Sequence, residues 1–393
     1  MSTPERFDVV IVGARCAGAA TAMLLARRGH RVLVLDRARK GSDTLSTHAL
    51  MRGGVLQLRR WGLLDQVVAA GTPPIRLVRF HYGDEATTVS IKPAAGVDAL
   101  YAPRRTLLDR VLVDAAIAAG AQVRFGVNVT GLDRDPGGRV VGVVGRDRHG
   151  HPVRARGRLT VGADGKRSLV AREVGAATLR TGAGSGAVVY GYWGGLDVTG
   201  YEWFYGPGCA AGLIPTNDGE VCVFAGASAQ RFNHEIAGDT RAGYLRLLKE
   251  VVGDAHAGLH TVPPPSRLWT FPGRPGYVRR PWGTGWALVG DAGHYLDPLG
   301  AHGITDALRD AELLADAAGA LMSGEDETAA LTAYQVGRDR VAGPMFTAID
   351  QLAGYQWTLP TVQQLLLDHS AAMSDEVEVL SALPDRSRVL STR

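Results

Sequence analysis

An apolar, β-branched run, Phe7-Asp8-Val9-Val10-Ile11-Val12, leads straight into Gly13-Ala14-Arg15-Cys16-Ala17-Gly18, and good helix formers then continue to Arg28 before Gly29 closes the segment. Arg31 to Leu35 follows as a second buried strand ending on Asp36, so the opening reads as a βαβ unit of the parallel-sheet type. Gly13 permits a tight turn, Gly18 permits close helix–strand packing, and the helix start offers free N–H groups to a pyrophosphate. Asp36 lies 23 positions after Gly13, where a carboxylate accepts from ribose hydroxyls and disfavours a 2′-phosphate. Arg15 takes the place of the usual middle glycine, so its side chain must point away from the backbone, toward phosphate or a cofactor ring.

At 393 residues, with about 150 per domain, roughly two to three domains are expected. The hydrophobic share of 46% and charged share of 21% are those of a globular chain and exclude global disorder. Lys+Arg 43 against Asp+Glu 39 leaves +4, spread without a basic block, so nucleic acid is not an expected partner. Cys16, Cys209 and Cys222 contain no CxxC pair, which excludes a disulfide framework and dithiol chemistry. Without a leader or an apolar run of 18 residues, the chain reads as cytoplasmic with no stable membrane insertion. Neither a hydrolase nucleophile elbow nor HExxH-type spacing is present, so no metal is expected.

Beyond the opening unit, Thr72-Pro73-Pro74 marks a crossing, Leu107 to Ala119 has helical spacing, and Val123 to Val129 and Val140 to Val144 read as strands about the Asp135-Pro136-Gly137-Gly138 turn. Gly186 to Ser228 is rich in glycine and aromatics in short alternating segments, which suits an antiparallel sheet. Trp286 to Val289 is again a buried strand, and helices dominate from Ile304. Gly182-Ala183-Gly184-Ser185-Gly186 opens no helix and reads as a loop, leaving one dinucleotide motif in the chain.

Two more motifs follow strands: Ala163-Asp164-Gly165-Lys166-Arg167-Ser168 and Val289-Gly290-Asp291-Ala292-Gly293-His294. With the first motif and in this order, they make residues 7 to 340 resemble the class A FAD-dependent monooxygenases of the p-hydroxybenzoate hydroxylase type, with geranylgeranyl reductase-like enzymes as relatives. The resemblance implies a fold of the α/β class: a Rossmann-like FAD-binding domain with a parallel sheet, an inserted antiparallel-sheet substrate domain, and C-terminal helices. Expected boundaries are 1–75, 100–180 and 284–340 for the FAD-binding domain, 76–99 and 181–283 for the substrate domain, and 341–393 for the helical end.

In such a protein Gly13, Arg15, Cys16, Ala17, Gly18, Asp36, Arg37, Arg105, Asp164 and Gly290 would hold FAD, and Asp291 matches the aspartate that bonds the ribityl chain. Pro298, Gly303, Ile304 and Thr305 match the loop and helix start beside the isoalloxazine, where a helix N-terminus stabilises the reduced ring. Arg105 matches an arginine near the pyrophosphate, with Arg104 the competing assignment. The arginine expected three positions after Ser168 is displaced, with Ala171 in its place and Arg172 next.

The implied reaction is monooxygenation of a small apolar or aromatic substrate by NAD(P)H and O2 through a flavin C4a-hydroperoxide. Reduction of a carbon–carbon double bond is the alternative, and Asp297-Pro298 favours it. A halogenase or a nonenzymatic flavin-binding protein ranks lower, because Ala210 to Pro215 lacks both tryptophans of the halogenase motif. Tyr190 with Tyr192, and Trp203 with Tyr205, share strand faces and are candidates for a substrate pocket or for core. His48 and His302 are the candidate catalytic groups, His302 first as a source of flavin electrostatics, and His294 in the Gly290-Asp291 motif is, like His302, placed within reach of the isoalloxazine or substrate. The oligomeric state is left open by the sequence.

Overall fold

In the computed structural model, which describes residues 4–384, the β-branched runs Glu5–Val12 (β1) and Val32–Asp36 (β2) pair in parallel, Val9 opposite Val32 through Val12 opposite Leu35. The helix between them, Cys16–Ala26 (α1), is buried along its whole length. Its Ala19, Ala20 and Ala22 explain that, since small side chains let a helix lie close between a sheet and other helices. The sheet runs in the order Trp282–Gly283, Trp286–Leu288, Pro152–Gly162, β1, β2, Gln122–Phe125. All neighbours from Trp286–Leu288 onward are parallel. α1, Arg105–Ala118 and Gly303–Met322 supply Met23, Leu108, Leu112 and Leu308 to one core.

One expected strand is two. Gly126 breaks the run from Val123 to Val129 with φ 72° and donates its N–H to the Ala38 carbonyl, so Gln122–Phe125 stays in the parallel sheet. Asn128–Arg134 instead forms an antiparallel ribbon with Val140–Arg146.

The second sheet has seven strands, ordered Trp269–Phe271, Gly186–Gly194, Glu220–Ser228, Cys209–Pro215, Tyr201–Gly206, Leu77–Tyr82, Glu85–Ser90. It is antiparallel except where Tyr201–Gly206 meets Leu77–Tyr82 in parallel, a junction made by an earlier excursion of the chain. One face packs Val189, Trp193, Phe204 and Val223 against Ala229–Glu235 and Thr240–Val252. There Trp193 Nε1 donates to the Tyr244 hydroxyl at 3.0 Å, and that hydroxyl donates to the Val223 carbonyl at 2.9 Å, so the buried polar atoms are satisfied. The other face carries Tyr190, Tyr201, Trp203 and Tyr205.

Two long helices close the molecule, Glu327–Ala353 and Leu359–Ser381. The first crosses residue 340 unbroken, so the expected boundary at 340/341 falls inside a helix. Residues 385–393 of the expected helical end lie outside the described residues. Between the two helices, Tyr355 and Trp357 turn onto the aromatic face, where Trp357 Nε1 donates to the Gly206 carbonyl at 3.2 Å. No helix among the described residues is long and apolar enough to cross a membrane.

Candidate active site

The three sequence motifs meet where α1, Pro152–Gly162 and Gly303–Met322 converge. Gly13 has φ 105°, and a Cβ there would stand 2.4 Å from the Ala163 carbonyl oxygen. A Cβ on Gly18 would stand 1.9 Å from the Gly13 carbonyl oxygen and 3.1 Å from Ala163 Cβ. A Cβ on Gly290 would meet Ala17 Cβ at 3.1 Å and Ala307 Cβ at 3.4 Å. Gly13 and Gly18 meet backbone at these points, and Gly290 meets the alanine side chains of two helices.

Asp36 Oδ2 accepts the Ala14 N–H at 2.7 Å and Oδ1 accepts that of Ala38 at 2.7 Å, so this carboxylate shapes the turn while keeping lone pairs free. No side chain caps the N-terminus of α1, leaving the starts of Cys16 and Ala17 for an anion. A shallow groove lies beside it, lined by Ala14, Asp36, Arg39 and Asp109 among others. Arg37 is exposed.

Arg15 departs from expectation. Its guanidinium turns from the α1 N-terminus to Asp109 Oδ2 at 3.1 Å and to the Ser42 and Asp43 carbonyls. The cause is Asp109, one turn along from Arg105, which also takes Arg105 Nη2 at 2.9 Å and Cys16 Sγ at 3.1 Å. These partners raise the Arg105 pKa against burial, and burial pushes the Cys16 thiol up. Asp109 was not singled out in the sequence, although Arg105-x-x-x-Asp109 is a helical i,i+4 pair. Arg104 points the other way, to Glu220 Oε2 at 2.7 Å and over the Tyr192 ring, 3.4 Å from its centroid.

Asp164 also serves a nearer purpose than expected. It accepts from Ser168 Oγ at 2.5 Å and the Leu169 N–H at 2.6 Å, while Ser168 caps Leu169–Glu173. Of the motif's two cations, Arg167 is exposed and Lys166 packs over aromatic rings, its ammonium 4.1 Å from the Phe271 centroid and 5.3 Å from that of Tyr295. Arg172 is exposed and pairs with Glu173, so the displaced arginine has no place at the site.

Asp291 is half-buried between Gly290 and Ala292, which are both buried. Burial raises its pKa to about 6 against the pull of Lys166 and Arg105. Asp297, fully buried, accepts the Leu299 N–H at 3.0 Å and that of Gly186 at 2.8 Å, fixing the Pro298–Gly303 loop against the second sheet. Asp350 holds Ala183 and Gly184 similarly, so the glycine-rich loop is a crossing pinned by two carboxylates. Ala301 is left-handed at φ 50°, and the following helix starts at Gly303 without a side-chain cap. A Cβ on Gly303 would meet nothing within 4 Å, and Ile304 is only half-buried, whereas Thr305 is buried with Oγ1 unpartnered. Open space in front of an uncapped helix suits a flat, electron-accepting ring.

On the aromatic face, His48 Nε2 lies 2.5 Å from the Tyr192 hydroxyl, and the Tyr190 hydroxyl accepts the Ser46 N–H at 3.1 Å. His48 is left-handed at φ 71°, and burial, then Arg104 and Arg105, hold its pKa well below the usual histidine value. Trp203 packs between Tyr201 and Phe224, and Tyr205 between Tyr82 and Trp357, so these two fill core. Tyr192 keeps some exposure. His302 is buried against Glu376, 2.7 Å away, and His294 is buried with neither ring nitrogen bonded.

A family described as FAD binding domain matches residues 6–348. The chain belongs to the FAD binding domain family. This flavoprotein is 29% identical over 341 residues to a menaquinone reductase of Mycolicibacterium smegmatis, covering 79% of this chain and 76% of that one. It is 26% identical over 345 residues to a digeranylgeranylglycerophospholipid reductase of Methanocella arvoryzae, covering 84% and 82%. Its fold is that of PqsL from Pseudomonas aeruginosa, solved in complex with 2-aminobenzoylacetate, with a TM-score of 0.77 at 23% identity over 94% and 100% of the two chains. The flavoprotein is an FAD-dependent oxidoreductase.

Proposed function

We propose that this oxidoreductase is a single-component monooxygenase that takes NAD(P)H and O2 and hydroxylates a small aromatic substrate carrying an ionisable hydroxyl or amino group. The observation that carries this is the 2.5 Å contact between His48 Nε2 and the Tyr192 hydroxyl on the aromatic face. A neutral, buried imidazole bonded to a phenol can take a proton from an aromatic ring being activated for attack.

FAD would be held by the N-terminus of α1, Asp36, the Arg105–Asp109 pair and Asp291, with its ring at Gly303 to Thr305. When bound, it carries the electron pair of NAD(P)H to O2 and gives the oxygenating power. The protein's own part is to orient and to keep water out. Tyr190, Tyr192 and Arg104 position the aromatic ring, Tyr355 and Trp357 help to close the sheet face, and His48, held neutral, orients the Tyr192 hydroxyl through Nε2.

Turnover under 18O2 with NAD(P)H and a panel of phenols and anilines tests the reading. One 18O atom in the product supports it. A second reading, reduction of a carbon–carbon double bond, is favoured by the two reductases that match more than three quarters of this chain. It would be seen as two hydrogens added to an isoprenoid substrate without oxygen, and that result would replace the first reading.

A further inference from the structure

Glu376 belongs to Leu359–Ser381, a helix with none of the sequence motifs, yet its carboxylate is fully buried and both oxygens are engaged. Oε2 lies 2.7 Å from His302 Nε2, and Oε1 accepts from Arg309 Nη1 at 2.9 Å. Arg309 also donates to Asp306 Oδ1 at 2.5 Å and to Asp310 Oδ1 at 2.8 Å. Asp310 Oδ2 accepts the Gly290 N–H at 3.2 Å. One continuous set of bonds thus runs from the backbone of Gly290, beside Asp291, to the ring of His302, which precedes Gly303. Glu376 alone among these side chains comes from the C-terminal helix.

Two groups can balance the cluster around His302: His302 itself by keeping a proton, and Asp306, whose pKa burial raises. Asp306 Oδ1 is 3.9 Å from Nε2, and the His369 ring stands edge-on at 6.1 Å. Burial holds His369 down at about 3 and His294 far below its usual value, so both are neutral. Three carboxylates then face one guanidinium. Burial alone would strip the proton from His302, but Glu376 and Asp306 reverse that and raise its pKa, while His302 and Arg309 hold Glu376 at about 2. His302, Asp306 and Glu376 have ligand atoms within 4.8 Å of one another, but Arg309 already donates to both carboxylates, so the cluster is an ion-pair network and not a cation site.

We propose that Glu376 is a positioning residue for the flavin: it fixes a positive charge on His302 at the Pro298–Gly303 loop, making the C-terminal helix part of what sets the flavin's reduction potential. The proposal rests on the assignment of the flavin ring to Gly303 to Thr305. A cation there stabilises the anionic reduced ring more than the neutral oxidised one, so removing it makes reduction harder.

Two measurements test this. Histidine ring NMR on the apoprotein, with His302 assigned by His302→Gln, follows its titration in wild type, Glu376→Gln and Glu376→Asp. Spectroelectrochemistry follows the midpoint potential of the FAD-loaded proteins from pH 6 to 9. In Glu376→Gln the His302 midpoint is expected to fall by about one to three pH units and the flavin potential to become more negative, with Glu376→Asp returning both part-way. An unmoved His302 overturns the proposal, and so does a shifted His302 with an unchanged potential. Should Glu376→Gln fail to fold, the wild type decides: its potential must change slope with pH where His302 titrates, and no change there overturns the proposal. A ring that binds elsewhere, shown by FAD affinity and spectrum indifferent to Gly303→Ala, would instead sink the site assignment and this proposal with it.

Discussion

Arg105 and Asp109 sit one turn apart on the same helix and are joined by bonds at 2.9 and 3.2 Å, and the same carboxylate draws Arg15 away from the N-terminus of α1. Asp109 thereby decides where two arginines point, and it clears the helix start of the side chain that replaced the usual glycine. Replacing it by alanine leaves Arg105 buried without its bonded carboxylate and frees Arg15 to swing back. Asp109→Ala is expected to weaken FAD binding by about 10- to 100-fold, the size that follows from losing charge-assisted bonds of about 1.5–3 kcal/mol. Flavin fluorescence titration of the apoprotein checks it; an affinity within twofold of wild type would refute the role.

Asp291 gives a pH signature before any cofactor is added. Its pKa is raised from 3.8 to about 6, so the folded apoprotein holds a proton that the unfolded chain has already lost between those values. Stability from this group is therefore greatest below about pH 4 and falls as pH rises through 6, by about 2 kcal/mol after allowance for partial solvation. Asp291→Asn should make the apoprotein more stable than wild type at pH 7.5 and equal to it near pH 4, in urea melts. On the proposed FAD placement the same variant should bind FAD more weakly, because an amide offers one acceptor oxygen to the ribityl hydroxyls where the carboxylate offers two. Wild-type apoprotein gaining stability from pH 4 to 7 relative to Asp291→Asn would contradict the account.

What the sequence could disclose follows the range of each interaction. Gly13, Gly18 and Asp36 were legible because the turn they make is local, and Asp291 because its motif follows a strand. The parallel junction of Tyr201–Gly206 with Leu77–Tyr82 was not, since it joins segments more than a hundred residues apart without a crossover motif. Trp203 and Tyr205 share the face of Tyr190 as strand alternation requires, but only the packing of Trp357 and Phe224 showed that they fill core. Glu376 lies 74 residues from His302 in a helix with an ordinary amphipathic pattern, and no spacing rule links them.

On the proposed hydroxylation, the Tyr192 hydroxyl serves the chemistry and not the cofactor. Tyr192→Phe keeps the ring beneath Arg104 and removes only the group that touches His48. FAD affinity should stay within about twofold, while kcat for hydroxylation drops by about 100-fold or more, the usual contribution of a placed proton acceptor. The share of reducing equivalents released as hydrogen peroxide should rise correspondingly. Unchanged coupling and kcat, measured by product yield per NAD(P)H consumed, would remove His48 and Tyr192 from the mechanism.

Gly18 and Gly303 separate packing from ligand space. A methyl group on Gly18 would be driven into the Gly13 carbonyl oxygen at 1.9 Å, so Gly18→Ala must move α1 off its strand. It is expected to cost about 1–3 kcal/mol of folding stability with or without flavin. A methyl group on Gly303 meets no atom within 4 Å, and alanine at the start of a helix carries no penalty of its own. Gly303→Ala apoprotein should therefore melt within about 0.5 kcal/mol of wild type. Any loss then appears only when FAD is added, as weaker binding or a shifted flavin spectrum. Equal destabilisation of both apoproteins would mean that the space before Gly303 is filled by protein in solution and that the flavin ring must be sought elsewhere.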